Sequence, residues 1–151
     1  MTAMFLSLAA CGSSSASSGG GNPSPYGAVG DVCSLATANE VGGIVGETVV
    51  PAKIDFHSVP TCKYTAGGDF IQTSVVVEQS PQTAQASFHA IQGKAARNVP
   101  GVGDAAAFDT IATLTVLKGN IILGITVQVG KVSDQVSAEK QIAQLLIGRL
   151  K

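Results

Sequence analysis

The chain has 151 residues, of which 45% are apolar and 13% are charged, and its formal net charge is −1. This composition excludes an intrinsically disordered chain, which would be poor in apolar residues and rich in charge. The small net charge gives no electrostatic basis for binding nucleic acid or an anionic membrane surface. The length predicts a single domain.

The amino-terminal residues 1–10, MTAMFLSLAA, form an apolar stretch that ends in small residues, as secretory signals do. The stretch is too short to cross a bilayer as a helix, which takes about 20 residues. It continues into Leu8-Ala9-Ala10-Cys11, which resembles a bacterial lipobox. That resemblance implies cleavage before Cys11 and acyl chains on its thiol that anchor the protein in membrane lipid. The first basic residue is Lys53, so either the true start lies upstream of Met1 or the export signal is weak.

A Ser/Gly-rich segment, GSSSASSGGGNPSPYG, occupies residues 12–27. Such a segment behaves as a flexible coil, and this one would hold a domain roughly 20–25 Å from the membrane. The predicted organisation is therefore a signal peptide over residues 1–10, a lipidated cysteine and tether over residues 11–28, and a single domain over residues 29–151.

With Cys11 assigned to lipid, Cys33 and Cys62 remain and are predicted to form a disulfide in an oxidising compartment. In the chain-entropy model, a bridge over this separation contributes about 3–4 kcal/mol. Two cysteines without a nearby His or Cys cluster do not make a zinc site. We expect no metal and no cofactor.

Hydrophobic periodicity and turn residues predict helices and hairpins along the domain. A capping-box pattern at Thr37 and Glu40 begins the first helix, Ser80-Pro81 begins the second, and Ser137 is predicted to cap the third. The elements in chain order are a helix from Thr37 to Gly46, a short strand near residues 53–56, strands 61–66 and 70–78 joined by Gly67-Gly68, a helix to about residue 96, strands 110–117 and 121–129 joined by Gly119-Asn120, and a helix 138–150. The buried stripe of the last helix is predicted to contain Ala138, Ile142, Leu145, Leu146 and Leu150.

This pattern predicts an α+β domain in the order α-β-β-α-β-β-α. The helices would lie on one side of an antiparallel sheet of about four strands.

The segment from Gly101 to Ala106 matches G-x-G-x-x-A, a relaxed dinucleotide fingerprint. The fingerprint works only between a strand and the helix that it opens, whereas this segment follows a helix and precedes a strand. We therefore interpret Gly101, Gly103 and Asp104 as a structural loop.

No catalytic residue can be assigned from the sequence. Asp55 and His57 would share one face of a strand, but no third metal ligand accompanies them, and His89 is predicted to be solvated. No nucleophile motif such as G-x-S-x-G or S-x-x-K occurs. The remaining candidate groups are scattered carboxylates: Glu40, Glu47, Asp69 and Glu78.

Taken together, several short motifs resemble small exported lipoproteins of actinobacteria and related bacteria. They are the lipobox LAAC, the Ser/Gly tether, the Cys33-Ser-Leu segment, the T-x-x-E-V helix that ends at Gly46, the Cys62-x-Tyr64 strand, the VPGVGDAA loop, the Lys118-Gly119 hairpin and the final AEKQIAQLL helix. The resemblance implies a cell-envelope location, a Cys33–Cys62 bridge and a two-cysteine α+β domain without an assigned activity.

Three functional hypotheses follow. The leading one is a non-enzymatic module on the outer face of the cytoplasmic membrane that binds an envelope protein, a lipid or a small ligand. The second is a hydrolase acting on cell-envelope material. The third is a purely structural or regulatory partner of a membrane protein. A deep apolar pocket with a few polar groups favours ligand binding, whereas a large exposed apolar patch without a pocket favours the third hypothesis.

The lipid assignment predicts that radiolabelled palmitate enters the wild-type protein and does not enter Cys11→Ala. The variant should appear in the soluble fraction, because the acyl chains that hold it in the bilayer are missing. Label retained by Cys11→Ala would refute the assignment.

Overall fold

The computed structural model describes residues 29–56, 59–93 and 96–150. The predictions for the signal peptide, for Cys11 and for the tether lie outside the described residues. Among the helices that are described, none is long and apolar enough to cross a membrane.

One seven-stranded antiparallel sheet organises the domain, with neighbouring strands in the order β1-β2-β3-β7-β6-β5-β4. The elements in chain order are a short 3-10 helix (Val32–Ser34), α1 (Ala38–Val45), β1 (Val50–Phe56), β2 (Val59–Ala66), β3 (Asp69–Val77), α2 (Pro81–Gln92), β4 (Arg97–Asn98), β5 (Ala105–Phe108), β6 (Leu114–Lys118), β7 (Ile121–Gln128) and α3 (Gln135–Ile147). The predicted α+β class and antiparallel sheet are confirmed. The predicted number of strands and the element order are wrong.

The strands that the sequence did not predict have weak local signals. β5 reads AAAF, and alanine is depleted in strands, so its pairing with β6 from Ala105 to Phe108 depends on tertiary context. β4 has only two residues. β1 is longer than the predicted segment and contains Pro51, which is tolerated because β1 lies at the edge of the sheet.

Helices pack on both faces of the sheet, rather than on one face as predicted. Because successive strand residues point to opposite faces, neighbours such as Ile122 and Leu123 of β7 join different clusters. The larger cluster joins the sheet to α1 and α3 and includes Val41, Tyr64, Ile71, Leu123, Ile142 and Leu146. The smaller cluster joins the sheet to α2 and includes Ala84, Phe88, Ala107, Leu117 and Ile122.

The helix ends agree with the sequence predictions for α1 and differ from them for α2 and α3. α1 has the predicted capping box of Thr37 and Glu40 and ends at Gly46, whose φ is 72°. α2 ends at Gln92, earlier than predicted, because Gly93 leaves the helical conformation with a φ of 60°. α3 begins earlier than predicted, since the Asp134 carboxylate, not Ser137, accepts the capping hydrogen bond.

The Cys33–Cys62 disulfide is present, with a Cα–Cα distance of 5.0 Å. It joins the short 3-10 helix to β2 at a point where Cys62 is fully buried. On the same strand, the buried Tyr64 hydroxyl donates a hydrogen bond of 2.8 Å to the carbonyl oxygen of Ala36. Burial raises the pKa of Tyr64 to about 12, so this hydroxyl keeps its proton at neutral pH. The segment that precedes α1 is thus attached to the sheet both covalently and by a hydrogen bond.

The loop between β4 and β5 packs against the β6–β7 hairpin. Gly101 and Gly103 both have positive φ, at 81° and 61°. The Asp104 carboxylate accepts hydrogen bonds of 2.7 Å from Lys118 Nζ and from the backbone N–H of Gly119. The Lys118 hydrogen bond, followed by the Gly119 hydrogen bond, lowers the pKa of Asp104. This geometry supports the structural role that we assign to the loop.

We predict that Gly103→Ala lowers the free energy of unfolding more than Gly101→Ala does. Either alanine at positive φ should cost roughly 1–2 kcal/mol. At Gly103 the added Cβ would also lie 2.5 Å from the Leu117 carbonyl oxygen, whereas at Gly101 nothing lies within 4 Å. Urea denaturation measures the difference.

A suitable control is Gly43→Ala in α1, where a Cβ has free space and alanine favours the helix. It should leave stability unchanged or raise it slightly. Equal losses at Gly101 and Gly103 would contradict the close contact with Leu117.

Candidate functional site

A cleft of about 310 Å³ lies between the β5–β6 turn and the first turns of α3. This volume is at the lower end of the range for small-molecule sites, roughly 300–1,000 Å³. Six of the residues that line it matter for its chemistry: Arg97, Phe108, Asp109, Ala112, Val136 and Glu139.

Glu139 is the buried polar group of this cleft, and only 2% of its surface is exposed. Its Oε1 accepts a hydrogen bond of 2.9 Å from the backbone N–H of Val127 on β7. The pairing of β6 with β7 ends at Leu114 and Ile125, so β6 offers no partner to that N–H. The Glu139 side chain therefore completes the hydrogen bonding of β7 where the neighbouring strand is missing.

Burial raises the pKa of Glu139 to about 7 because desolvation disfavours the ionised carboxylate. The hydrogen bond from Val127 acts in the opposite direction, and the negative charge of Asp109 adds a smaller increase. Near neutral pH the cleft therefore contains both the protonated and the ionised form of this carboxyl group.

Asp109 holds the turn that forms one wall of the cleft. Its Oδ1 accepts backbone hydrogen bonds of 2.9 Å from Ile111 and from Thr113. Within this turn Ala112 has a φ of 62°, and no other non-glycine residue of the described chain has a positive φ. Such a conformation costs an alanine about 1–2 kcal/mol, and strained residues of this kind cluster at functional sites.

Arg97 provides the cation of the cleft. It is exposed on β4, and its guanidinium carbon lies 5.2 Å from the centroid of the Phe108 ring, in a cation–π arrangement. Among the described residues, no carboxylate lies within ion-pair distance of Arg97, and no cationic side chain lies within ion-pair distance of Glu139. The cleft thus contains a cation and a buried carboxyl group, and neither has an ionic partner in the part of the chain that the structure describes.

The scattered carboxylates of the sequence analysis do not line this cleft, and each has a local partner. Glu40 pairs with Arg149, Glu47 with Lys131, Asp69 with the backbone N–H of Gly130, and Glu78 with the hydroxyl of Ser87. The Arg149 hydrogen bond is the largest cause of the lowered pKa of Glu40, which is about 2. These four groups stabilise loops and helix ends.

The histidines add no site to the structure. His57 and the side chain of Asp55 lie outside the described residues. His89 is exposed on α2, in an edge contact with the Phe88 ring at 5.8 Å between centroids. Within the described ranges, no group of three or more His, Cys, Asp and Glu side chains could hold a metal ion.

Two other depressions lack a buried ionisable group. One, of about 320 Å³, lies between the end of α1 and the start of α3 and includes Lys131 and Asp134, both exposed. The other, of about 220 Å³, lies beside α2 over Ser74, Thr115 and Gly124. We therefore treat the Glu139 cleft as the candidate site.

Glu139 is not among the residues predicted from the sequence, although the sequence contains a signal for it. The buried face of α3 includes positions 139, 142, 143 and 146, which follow the i, i+3, i+4, i+7 spacing of a helix face. A glutamate at the first of these positions indicates a buried carboxyl group.

No protein-family model, curated protein or solved structure matches the chain.

We predict that Glu139 makes the folded protein less stable as pH rises. The pKa of this carboxyl is about 7 in the folded state, against an ordinary value of 4.5, so the folded state binds the proton more tightly. The contribution of the protonated carboxyl to the free energy of unfolding is therefore complete below about pH 4.5. It is lost as pH rises through about 7, and the loss is on the order of 2–3 kcal/mol.

Urea denaturation of the wild type and of Glu139→Gln at about pH 5 and about pH 8 measures this contribution. Other titrating groups affect both proteins equally, so the difference between them isolates Glu139. Parallel pH profiles for the two proteins would contradict the raised pKa.

Proposed function

We propose that the chain is a membrane-anchored extracytoplasmic lipoprotein whose folded domain binds a small ligand in the Glu139 cleft without catalysing a reaction. The observation that carries the proposal is a carboxyl group, 2% exposed, that lines a cleft of about 310 Å³ and has no cationic partner among the described residues.

The energetic cost of Glu139 supports a role in binding. A neutral glutamine could accept the same hydrogen bond from Val127 without the cost of burying a charge. The strained Ala112 on the opposite wall adds a second local cost. Unfavourable local features of this kind concentrate where function requires them, and a pocket with a few convergent polar groups is the usual form of a ligand site.

The amino-terminal sequence supports the proposed location. The lipobox-like Leu8–Cys11 segment would be anchored by acyl chains, and residues 12–27 would separate the domain from the outer face of the membrane by roughly 20–25 Å. The Cys33–Cys62 bridge is suited to an oxidising compartment.

A hydrolase acting on envelope material is the second candidate. It is favoured by the pKa of Glu139, since a general acid works best with a pKa near the working pH. Against it, the neighbouring Asp109 uses one carboxylate oxygen to hold two backbone N–H groups of its turn. We therefore favour binding, and we use chemical change of the ligand to distinguish the two.

We predict that the purified full-length chain retains a compound from a small-molecule extract of its host's cell envelopes. Val136 is 37% exposed on the wall of the cleft, so Val136→Trp should block the cleft and abolish retention. The matched control, Gln144→Trp, places the same ring on an exposed position of α3 that does not line the cleft and should retain the compound. Native mass spectrometry measures retention.

Equal retention by Val136→Trp and the wild type would show that the cleft is not the binding site. A compound that the wild type alters chemically and Glu139→Gln leaves intact would establish the hydrolase instead. Absence of any retained compound would contradict the binding proposal.

A further inference from the structure

We infer that the ligand of the Glu139 cleft is a small zwitterion, whose ammonium group binds Glu139 and whose anionic group binds Arg97. This inference rests on the proposed function and specifies the chemical class of the ligand.

Glu139 and Arg97 are both available to a ligand. Among the described residues, the only hydrogen bond to the Glu139 carboxyl is from Val127 N–H to Oε1, so Oε2 remains able to accept another. Arg97 is exposed, and its guanidinium is positioned over the Phe108 ring rather than against a carboxylate. A planar guanidinium held in this way presents N–H donors that match a carboxylate.

The charge balance favours a zwitterion over a simple ion. A ligand with only an ammonium group would leave Arg97 without a counter-charge and would be repelled by it. A ligand with only a carboxylate would be repelled by Asp109 and by ionised Glu139. A molecule with both groups adds no net charge to the cleft and satisfies both residues.

The size and the walls of the cleft restrict the ligand further. Phe108, Ala112 and Val136 provide apolar surface, and the volume of about 310 Å³ suits a molecule with a short aliphatic portion. Aliphatic amino acids and dipeptides, including those found in cell-wall peptides, have this combination of groups.

The charged groups around Glu139 determine how binding should depend on pH. Among the described residues they are Asp109 on the β5–β6 turn and Arg97 on β4, while β7 contributes the backbone N–H of Val127. Since only the ionised carboxylate forms an ion pair with ammonium, affinity for alanine or 5-aminopentanoate, whose amino groups stay protonated, should rise between about pH 6 and about pH 8. Glu139→Gln should abolish this rise.

The test is a calorimetric titration of the full-length chain with alanine, with alanyl-alanine, each in the L and D forms, and with 5-aminopentanoate. Butylammonium provides the cation alone and butyrate the anion alone. We expect saturable binding of at least one zwitterion, about tenfold or more tighter than either simple ion, because each charged contact contributes separately.

Arg97→Gln and Glu139→Gln should each weaken that binding about tenfold, since each removes one charged contact. Lys140→Gln removes a charge from α3 outside the cleft and should leave the affinity unchanged. Because Arg97 is exposed, its variant should fold even if Glu139→Gln does not, so the comparison remains decisive.

Binding of butylammonium as tightly as the best zwitterion, or binding unaffected by Arg97→Gln, would overturn the inference. If an envelope compound is retained through the cleft but none of the zwitterions binds, the ligand class is wrong and the proposed function stands. If neither the extract nor the zwitterions bind, both proposals fail.

Discussion

The antiparallel pairing of β3 with β7 is the interaction on which the rest of the domain depends. It runs from Phe70 opposite Gln128 to Val77 opposite Ile121 and joins the β1-β2-β3 half of the sheet to the β7-β6-β5-β4 half. Its end is held by two hydrogen bonds of 2.8 Å between Glu78 and Asn120. α2 and α3 pack against opposite faces of β7, and α1 packs against α3.

The candidate site arises because β6 is shorter than its neighbour β7. β7 continues beyond the last pair that it forms with β6, and the chain between β5 and β6 turns away through Asp109 and Ala112. The gap is occupied by Glu139 from α3, which supplies the hydrogen bond that a strand would have made. The cleft with its buried carboxyl group therefore lies where β6 no longer pairs with β7.

The sequence predicted those parts of the fold whose signals are local. The α1 caps at Thr37 and Gly46 and the two hairpin turns depend on neighbouring residues, and the Cys33–Cys62 pair on simple elimination. By contrast, residues 105–108 form a strand because β6 lies beside them. The placement of α2 on the second face of the sheet likewise depends on long-range packing. The cleft could not be predicted, since Arg97, Asp109 and Glu139 meet only after the sheet has formed.

The two edges of the sheet have a further consequence if the protein is concentrated on a membrane surface, as we propose. Unpaired strand edges can join neighbouring molecules into aggregates. Here β1 includes Pro51, which has no N–H to offer, and the exposed Lys53, while β4 at the other edge is only two residues long. Neither edge is a good template for another chain, so crowded copies of the domain should remain separate.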